Sequence, residues 1–525
     1  MLKKTKAFFG LTSGQEVEPW DLDLIVFQSE GIDTKGNKYK FPIRIRDLLD
    51  GTVIFGQSGG GKTSASVATV VREALKKGFG AVCTTVKPGD AMFYKNLAIE
   101  AGREKDVIIF NKESGMCFDP LQYELNRSGR GAGNVTNLID LLVRLNGLLV
   151  QDSKPGEDAT FWTNTLYRLL GNIIKLLIMA GDEPVSFHNM RRIMEAAVSD
   201  DIFETMNIFK AFQLYSQTLA EGQASEEEQS ILINHLVTLS NKNFIIECLV
   251  KAKMNQVDPN SLSITQSYFC TELRQMADKT RASVIEMVLG LIEPFNFGLL
   301  KDCFTSRVDE CLKPESTWEE GKIIILDFPI KEYGLAGRLA IGFYRFLFMM
   351  AAERRITDES GLHRPVLLVQ DEAQAFLDPN YDTQFQSTSR SSRVATITIT
   401  QNIHNFIIAM GSIMPEAKMK SLLSNLALKI FHAQNCFETN EYASKVIAND
   451  KKDKLSKTMT MDSLTTNISE EYLPQIQPIE FTRLKTGGIR NNFEVEAIVT
   501  KAGKSHDWFG ANVFKATFHQ NNSKS

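Results

Sequence analysis

The chain has 525 residues, of which 43% are hydrophobic and 23% are charged, and its formal net charge is −4 at pH 7. This composition excludes global disorder, and the length favours two or more domains over one compact core. The chain lacks the overall basic charge that would indicate a nucleic-acid partner, although a pore or groove needs only a local cluster of lysines and arginines.

The N-terminal part of the chain predicts short strands that lead into an α/β domain. Residues 1–20 are interpreted as a tail, because the apolar run within residues 1–10 is too short for a signal peptide. From residue 21 to residue 133, strand-like runs alternate with helical stretches, which indicates a parallel sheet. The strand-like runs lie at 22–27, 41–46, 52–55, 80–86 and 106–110.

A glycine-rich turn follows the run at 52–55 and precedes a helical stretch. Its sequence, GQSGGGKT at 56–63, fits G-x-x-x-x-G-K-[ST], the phosphate-binding P-loop. The glycines let successive backbone N–H groups turn around a polyphosphate, and the helix adds its positive N-terminal end. Lys62 is predicted to reach the β- and γ-phosphates, and the Thr63 hydroxyl to hold Mg²⁺. The predicted nucleotide-binding residues are Gly56, Ser58, Gly59, Gly60, Gly61, Lys62, Thr63 and Ser64.

The rest of the chain divides into a helical insertion, a second α/β part and a C-terminal region. Residues 134–300 have helical periodicity almost throughout, and Ser186 is predicted to cap one of their helices. Strand-like runs resume in residues 301–448 and complete the sheet of the nucleotide-binding domain. Residues 449–475, rich in Lys, Ser, Thr and Met, are interpreted as a mobile loop. Residues 476–525 are predicted to hold closing edge strands at 493–499 and 513–518, followed by a tail.

Two long apolar stretches are predicted to be core helices. They lie at 166–180 and 339–352 and are interrupted by Arg168, Lys175 and Arg345. Both are shorter than the roughly 20 residues that a membrane span requires. We therefore expect a protein without a direct membrane span.

A second part of the nucleotide site is predicted about 300 residues after the P-loop. The apolar run 366–370 reads as a buried parallel strand, and Asp371 and Glu372 follow it. Open α/β sheets carry their chemistry at the carboxyl ends of such strands. Asp371 is predicted to hold Mg²⁺, and Glu372 to polarise the attacking water, so that nucleotide is hydrolysed and not only bound. In isolation, such an acidic pair marks the start of a helix about as often as it marks a catalytic site.

Cysteines and histidines give no sign of another metal. The seven cysteines include no C-x-x-C pair, which predicts reduced thiols and no zinc site. The seven histidines lack metal-ligand spacing, so Mg²⁺ is the only metal we expect.

Several segments in series resemble a known family. After the P-loop come GKIIILDFP at 321–329, QDEAQ at 370–374, SRSSR at 389–393 and TITQN at 398–402. This series resembles the type IV secretion conjugative coupling ATPases, the TraG/TraD group of the FtsK–HerA superfamily, over roughly residues 20–500. The resemblance implies a RecA-like α/β fold with a parallel-core sheet, split by an all-α inserted domain. It also implies an ATP-driven ring motor, commonly hexameric, that moves DNA through its centre.

The resemblance assigns roles to further residues. Gln401 matches a glutamine that senses the γ-phosphate or positions the water; its alternative is a polar residue at a strand end. Arg390 matches an arginine that reaches the neighbouring subunit's nucleotide, with Arg393 as the competing candidate and a surface ion pair as the alternative for either. Lys87, in KPGD at 87–90, matches the family's turn only in part and is alternatively a loop residue.

The partners follow from the same resemblance. DNA is the expected cargo, and a relaxase or secretion-channel proteins are candidate partners. Lys251, Lys253, Arg274, Lys279 and Arg281 lie in or beside the helical insertion and are candidates for a DNA path, or alternatively a solvated helix face. Many coupling proteins begin with membrane helices; here we expect a cytoplasmic protein that reaches the inner membrane only through a partner.

Two other functions remain open. A HerA-like phage-defence or protein-secretion ATPase would keep the motor and change the cargo. A nucleotide-regulated scaffold would recruit partners through the helical insertion, but a switch without turnover need not keep Lys62, Asp371, Glu372 and Gln401 together.

Overall fold

A computed structural model describes residues 23–32, 38–149, 159–182, 184–198, 225, 230, 243–357, 363–460, 463–503 and 512–520. The chain divides into two compact units. The sheet unit comprises Met1–Phe110, Pro314–Ile341 and Phe348–Ser525, and the helical unit comprises Asn111–Lys313 and Gly342–Leu347.

Within the residues that the structure describes, the sheet unit is built on one sheet of 11 strands. In chain order these are β1 (Asp23–Ile32), β2 (Lys38–Arg44), β3 (Thr52–Phe55), β4 (Gly80–Thr84), β5 (Val107–Phe110), β6 (Ile323–Leu326), β7 (Val366–Gln370), β8 (Val394–Thr400), β9 (Leu428–Phe431), β12 (Glu494–Lys501) and β13 (Val513–His519). Their order across the sheet is β2-β1-β13-β12-β9-β3-β8-β7-β4-β6-β5. The seven strands from β9 to β5 are parallel, and the other four pair in antiparallel fashion.

The parallel strands form the centre of the core because they are apolar on both faces. Every residue of β3, β4, β6, β7, β8 and β9 is buried. On one face, Ile54, Val70 and Val71 belong to one apolar cluster; on the other, Phe55, Phe406 and Phe431 belong to a second. Helices therefore cover both faces of the parallel strands, as such strands require.

The helices of the sheet unit lie mainly between consecutive strands. They span Ile45–Leu49, Ala68–Lys76, Asp90–Glu100, Glu315–Glu319, Tyr381–Thr388, Ile403–Ala409, Pro415–Ser424 and Phe437–Ile447. The predicted α/β fold, with a parallel core and a long helical insertion, is confirmed.

The helical unit is larger than the insertion predicted at 134–300. Its helices span Pro120–Asn126, Val135–Leu149, Ala159–Ala180, Phe187–Val198, Phe244–Met254, Pro259–Ser267, Leu273–Gln275, Asp278–Ile292 and Gly298–Phe304. The unit extends beyond both predicted ends because residues 117–119 pair with residues 303–309. The backbone N–H of Asp119, for example, donates to the carbonyl of Arg307 at 2.8 Å. Ser186 accepts a hydrogen bond from the N–H of Asn189 at 3.2 Å, as its predicted capping role requires.

One helix contributes to both units. It spans Ile330–Glu353, and its backbone departs from helical geometry at Gly334, where φ is +54°. Among the described residues it is the single helix long and apolar enough to cross a membrane, but 78% of its apolar window is buried within the protein. A bent pair, Asp278–Asn296 with Gly298–Phe304, passes the same test only when the two are joined across a 74° bend.

Two predictions about the C-terminal region are wrong. The predicted loop at 449–475 forms an antiparallel hairpin of β10 (Asn449–Thr460) and β11 (Ser463–Pro474), paired in unbroken register from Asn449↔Pro474 to Thr460↔Ser463. The predicted edge strands, β12 and β13, lie inside the sheet, because β1 pairs with β13 and β2 with β1. The edges of the sheet are β2 and β5.

A close contact at the start of β4 predicts a strong effect of a single methyl group. A Cβ on Gly80 would overlap the carbonyl oxygen of Thr317 and lie 2.7 Å from its carbonyl carbon. Since backbone atoms cannot swing away, we expect Gly80→Ala to cost about 1–3 kcal/mol of stability. Urea and thermal unfolding would measure the loss.

Gly147 in the helix Val135–Leu149 provides the control. A Cβ there would meet nothing within 4 Å, so Gly147→Ala should leave stability unchanged or raise it by about 0.5–1 kcal/mol. Equal unfolding midpoints for both variants would contradict the close packing at Gly80.

Candidate active site

The glycine-rich turn at 56–61 connects β3 to a helix and opens into a cleft. Gly59 and Gly61 have φ values of +73° and +82°, which side chains rarely tolerate, and a Cβ on Gly61 would lie 2.7 Å from a methyl carbon of Val495. The backbone can therefore turn here only with glycine. The cleft has a volume of about 290 Å³. It is lined by Gln57, Ser58, Gly59, Gly60, Gly61, Lys62, Thr63, Ser64, Lys87, Glu372, Gln401 and Gln520.

Lys62 is 9% exposed and is held by the loop that precedes it. Its Nζ donates to the carbonyl oxygen of Gly56 at 2.6 Å and to that of Gln57 at 3.2 Å. Burial lowers the pKa of Lys62, while Glu372 and Asp371 oppose this effect. The ammonium group therefore lies between backbone carbonyls and two carboxylates, where an anionic ligand would stabilise its charge.

The acidic pair after β7 divides into one buried and one accessible carboxylate. Asp371 is 8% exposed, and burial, with help from Glu372 and Asp90, raises its pKa to about 6. Glu372 lines the cleft and has a φ of +44°, a conformation that costs energy for a residue other than glycine. The buried carboxylate suits a cation ligand, because a divalent charge would offset its desolvation.

Two glutamines hold the carboxylate of Glu372. Gln401, which follows β8, donates from Nε2 to Oε1 of Glu372 at 2.8 Å. Gln374 donates from Nε2 to Oε2 at 2.6 Å and accepts a hydrogen bond from the Thr400 hydroxyl at 3.0 Å. Sequence reasoning identified Gln401 but missed Gln374. Its position in the QDEAQ motif, close to Glu372, could have indicated this role. Both carboxylate oxygens are thus oriented before any ligand binds.

The structure does not bring Arg390 to this cleft. Arg390 precedes β8, so the whole length of that strand separates it from Gln401. At about 3.3 Å per residue, a seven-residue strand spans on the order of 20 Å. Its side chain is 56% exposed, and Nη1 lies 3.2 Å from Oδ1 of Asp50. Arg393, the competing candidate, is half-buried, has a φ of +58° and carries a pKa lowered mainly by burial.

The basic residues predicted for a DNA path lie within the helical unit. Lys251 forms an ion pair with Glu247 at 3.0 Å, and Arg281 forms one with Asp278 at 2.8 Å. Lys253 and Lys279 are exposed at a helix end and a helix start respectively. The local ion pairs reduce the positive charge that the group offers to a polyanion.

Sequence reasoning missed a buried histidine beneath the P-loop. His432 follows β9 and is fully buried, and its Nε2 lies 2.7 Å from the hydroxyl of Ser66. Burial, and secondarily Lys62, lowers the pKa of His432 to about 3, so the ring is neutral. Since a Cβ on Gly56 would lie 2.8 Å from that of His432, the two residues pack closely at the start of the loop. No local motif marks this role, because it depends on the β3–β9 pairing.

In the part of the chain that the structure describes, one group of side chains has potential metal ligands close together. His404, Cys436 and Glu438 have ligand atoms within 4.8 Å of one another, which their sequence spacing did not indicate. Glu438 lies 3.2 Å from Nε2 of His404 and accepts a hydrogen bond from Cys436 at 3.3 Å. These contacts account for the group as a polar surface cluster at the start of a helix.

The donor set of the cleft fits a nucleoside triphosphate with Mg²⁺. The glycine turn provides backbone N–H groups, Lys62 a cation, and Thr63 and Asp371 the oxygen ligands that Mg²⁺ prefers. Glu372 and Gln401 line the same cleft and are joined by a hydrogen bond. The predicted site residues other than Arg390 therefore lie at or beneath one cleft.

Comparisons with known proteins give a family match for one segment of the chain and a fold match for almost all of it. Residues 365–485 match the family model described as the TraM recognition site of TraD and TraG. No curated protein sequence matches the chain.

Among solved structures, the chain is similar to the bacterial conjugative coupling protein TrwB. For an unbound form the TM-score is 0.57 at 11% identity, over 96% of this chain and 97% of that one. For TrwB in complex with the ATP analogue ADPNP the TM-score is 0.56 at 11% identity, over 94% and 91% of the two chains. For TrwB with ADP and Mg²⁺ it is 0.57 at 11% identity, over 97% of each. The chain therefore has the fold of a conjugative coupling protein, and its residues 365–485 match the TraD and TraG model, which confirms the resemblance inferred from its motifs.

Proposed function

We propose that the chain is an ATP-hydrolysing motor that moves DNA as a coupling protein in conjugative or type IV secretion-like transfer. The observation that carries the proposal is one cleft that combines a P-loop with Asp371, Glu372 and Gln401. Two findings add support: the TraD and TraG segment at 365–485, and TrwB structures of the same fold that contain ADPNP or ADP and Mg²⁺.

Binding depends on positive charge and oriented N–H groups. The backbone of Gly59–Gly61 cradles the phosphates, and Lys62 exchanges its carbonyl partners for phosphate oxygens. The Thr63 hydroxyl and Asp371 would hold Mg²⁺, and the cation would supply positive charge to the phosphate chain. Its charge would also offset the desolvation that raises the pKa of Asp371.

Hydrolysis depends on the orientation of Glu372. Its carboxylate takes a proton from the water that attacks the terminal phosphate, while Gln401 orients that water or senses the phosphate. Gln374 fixes the second carboxylate oxygen, so Glu372 loses little rotational freedom when the water binds.

Assembly into a ring would complete the site. Arg390 is too far from the cleft of its own subunit, but its exposed guanidinium suits a role in a neighbour's site. A guanidinium that reaches the transferring phosphate stabilises the charge of the transition state. We therefore assign the trans-acting role to Arg390 rather than to the half-buried Arg393, in a homo-oligomer that is hexameric by analogy.

Partner and location belong to the same proposal. A relaxosome protein is the first candidate partner, because residues 365–485 match a TraM recognition segment. The β10–β11 hairpin lies in that segment. We infer a cytoplasmic protein that meets the inner membrane through a secretion-channel partner.

A second candidate is a HerA-like or protein-secretion motor with the same ATPase chemistry. The ion pairs of Lys251 and Arg281 favour it, because they leave less positive charge for DNA. A nucleotide-regulated scaffold without turnover is disfavoured, because two hydrogen bonds orient the carboxylate of Glu372.

Two substitutions in the cleft should separate binding from hydrolysis. Glu372→Gln removes the base but not the phosphate contacts, so it should bind MgATP while turnover falls by about 10²–10⁴-fold. Lys62→Ala removes a phosphate contact and should weaken both. Equilibrium binding and phosphate release would measure the two effects; near-wild-type turnover in Glu372→Gln would remove that residue from its role.

Subunit mixing tests whether Arg390 acts in trans. Arg390→Ala alone should lose on the order of 10³-fold in turnover. Mixing it with Glu372→Gln should restore some activity, because some interfaces then join an intact Glu372 to an intact Arg390. Arg393→Ala is the matched control in the same turn and should retain turnover once its folding is verified. An Arg390→Ala protein that is fully active at every concentration would refute the assignment.

DNA should stimulate the ATPase of the assembled protein. Lys253→Glu with Lys279→Glu should weaken DNA binding alike for all sequences and make its salt dependence shallower. Basal ATPase should persist, since neither residue lies in the cleft. Lys420→Glu with Lys445→Glu, two exposed lysines of the sheet unit, is the charge-matched control. If saturating DNA leaves turnover unchanged at low salt, the protein-secretion candidate moves ahead.

A further inference from the structure

A glutamine at the end of β13 lies in the nucleotide cleft, far along the chain from every predicted site residue. Gln520 donates from Nε2 to the hydroxyl of Ser64 at 2.8 Å. Its Oε1 accepts a hydrogen bond from the N–H of Gly488 at 2.9 Å. The first contact joins the carboxamide to the first turn of the helix that follows the P-loop, and the second joins it to the loop at 487–491.

The order of strands puts Gln520 on the flank opposite the catalytic pair. On one side of β3 lie β8 and β7, which carry Gln401 and Glu372; on the other lie β9, β12 and β13. β12 is antiparallel to both β9 and β13, so β13 runs in the same direction as β3. Its carboxyl end therefore reaches the same edge of the sheet as the P-loop.

This placement fixes which end of a nucleotide meets Gln520. The bond to be broken must lie beside Glu372 and Gln401, so the terminal phosphate points toward β7 and β8. Lys62 then contacts the β- and γ-phosphates, and the rest of the molecule continues toward Ser64. The nucleoside therefore lies on the side of the cleft that Gln520 lines.

The surroundings of Gln520 are shaped for its carboxamide. Gly487, with φ of +82°, leaves the space: a Cβ there would lie 2.6 Å from Cδ of Gln520. Asn491 holds the same loop by donating to the carbonyl of Gly487 at 3.1 Å. A carboxamide has two N–H donors and two acceptor lone pairs, so one contact of each kind leaves capacity for a ligand.

We propose that Gln520, held by the loop at 487–491, forms the nucleoside subsite of this ATPase. The inference rests on the proposed function, because it requires that the cleft bind ATP. A neutral carboxamide that both donates and accepts matches ribose hydroxyls and purine edges, which do the same, whereas phosphate oxygens only accept. Gln520 thus recognises the nucleoside, and the P-loop recognises the phosphates.

The test compares two probes that share the phosphate chain. MgATP carries the nucleoside and magnesium tripolyphosphate lacks it. For Gln520→Ala and Gln520→Glu we expect the affinity for MgATP to fall by about 3–10-fold, the loss of one hydrogen bond. Affinity for tripolyphosphate should stay at the wild-type level in Gln520→Ala, which also verifies that the P-loop is folded.

His519→Ala is the matched control, since alternation along β13 directs that exposed side chain to the other face of the strand. It should bind both probes like the wild type. The analogues 2′-deoxyATP and GTP then identify the nucleoside group that Gln520 contacts. The analogue that lacks this group should lose no further affinity when Gln520 is replaced by Ala.

Either of two results for Gln520→Ala would overturn the subsite alone. One is an unchanged affinity for MgATP; the other is an equal loss of affinity for tripolyphosphate, which would mean that Gln520 only braces the P-loop helix. A wild-type protein that binds tripolyphosphate no more weakly than MgATP would also overturn it. Failure of the wild type to bind either probe would instead overturn the proposed function, and the subsite with it.

Discussion

The active site depends on the hydrogen-bonded register of β3 with its two parallel neighbours. Phe55 pairs with Thr400 of β8 and with Phe431 of β9. Gly56, Gln401 and His432 follow these three residues directly. They therefore lie side by side at the carboxyl edge of the sheet. A slip of one residue would reverse the faces of every side chain in a strand and separate the loop from its catalytic and supporting partners. The buried apolar side chains of β3, β8 and β9 oppose such a slip.

Charge is arranged differently at the two edges of the parallel strands. At the carboxyl edge, Lys62 and Asp371 are both buried, and burial alone would disfavour the ionised form of each. At the amino edge, Asp50 binds Lys501 at 2.6 Å and Arg390 at 3.2 Å. There burial, and then Lys501, lowers the pKa of Lys429 to about 8. The amino-edge group restrains Arg390 while leaving its guanidinium accessible.

Local patterns in the sequence were sufficient to predict the parts of the site that follow a strand. The P-loop, Asp371, Glu372 and Gln401 come directly after apolar runs, and parallel strands bring such positions together. The edge-strand prediction for β12 and β13 failed because their position depends on pairing with β1 and β9, which nothing in 493–518 encodes locally. Gln520 and His432 were missed for the same reason. The hairpin at 449–474 was read as a loop because its polar, threonine-rich residues lack an apolar face, although such residues suit a two-stranded hairpin.

The same pairing pattern bears on how the protein is made. β3 is synthesised early, but its two partners, β8 and β9, are encoded after the entire helical unit. Until they emerge from the ribosome, a strand that is fully buried in the finished sheet has no neighbour on either side, and such edges promote aggregation. The helical unit has its own apolar core and is complete in sequence except for residues 342–347. The nascent chain thus holds a nearly finished helical unit and an incomplete sheet at once, and its open strand edges are exposed to aggregation until β8 appears.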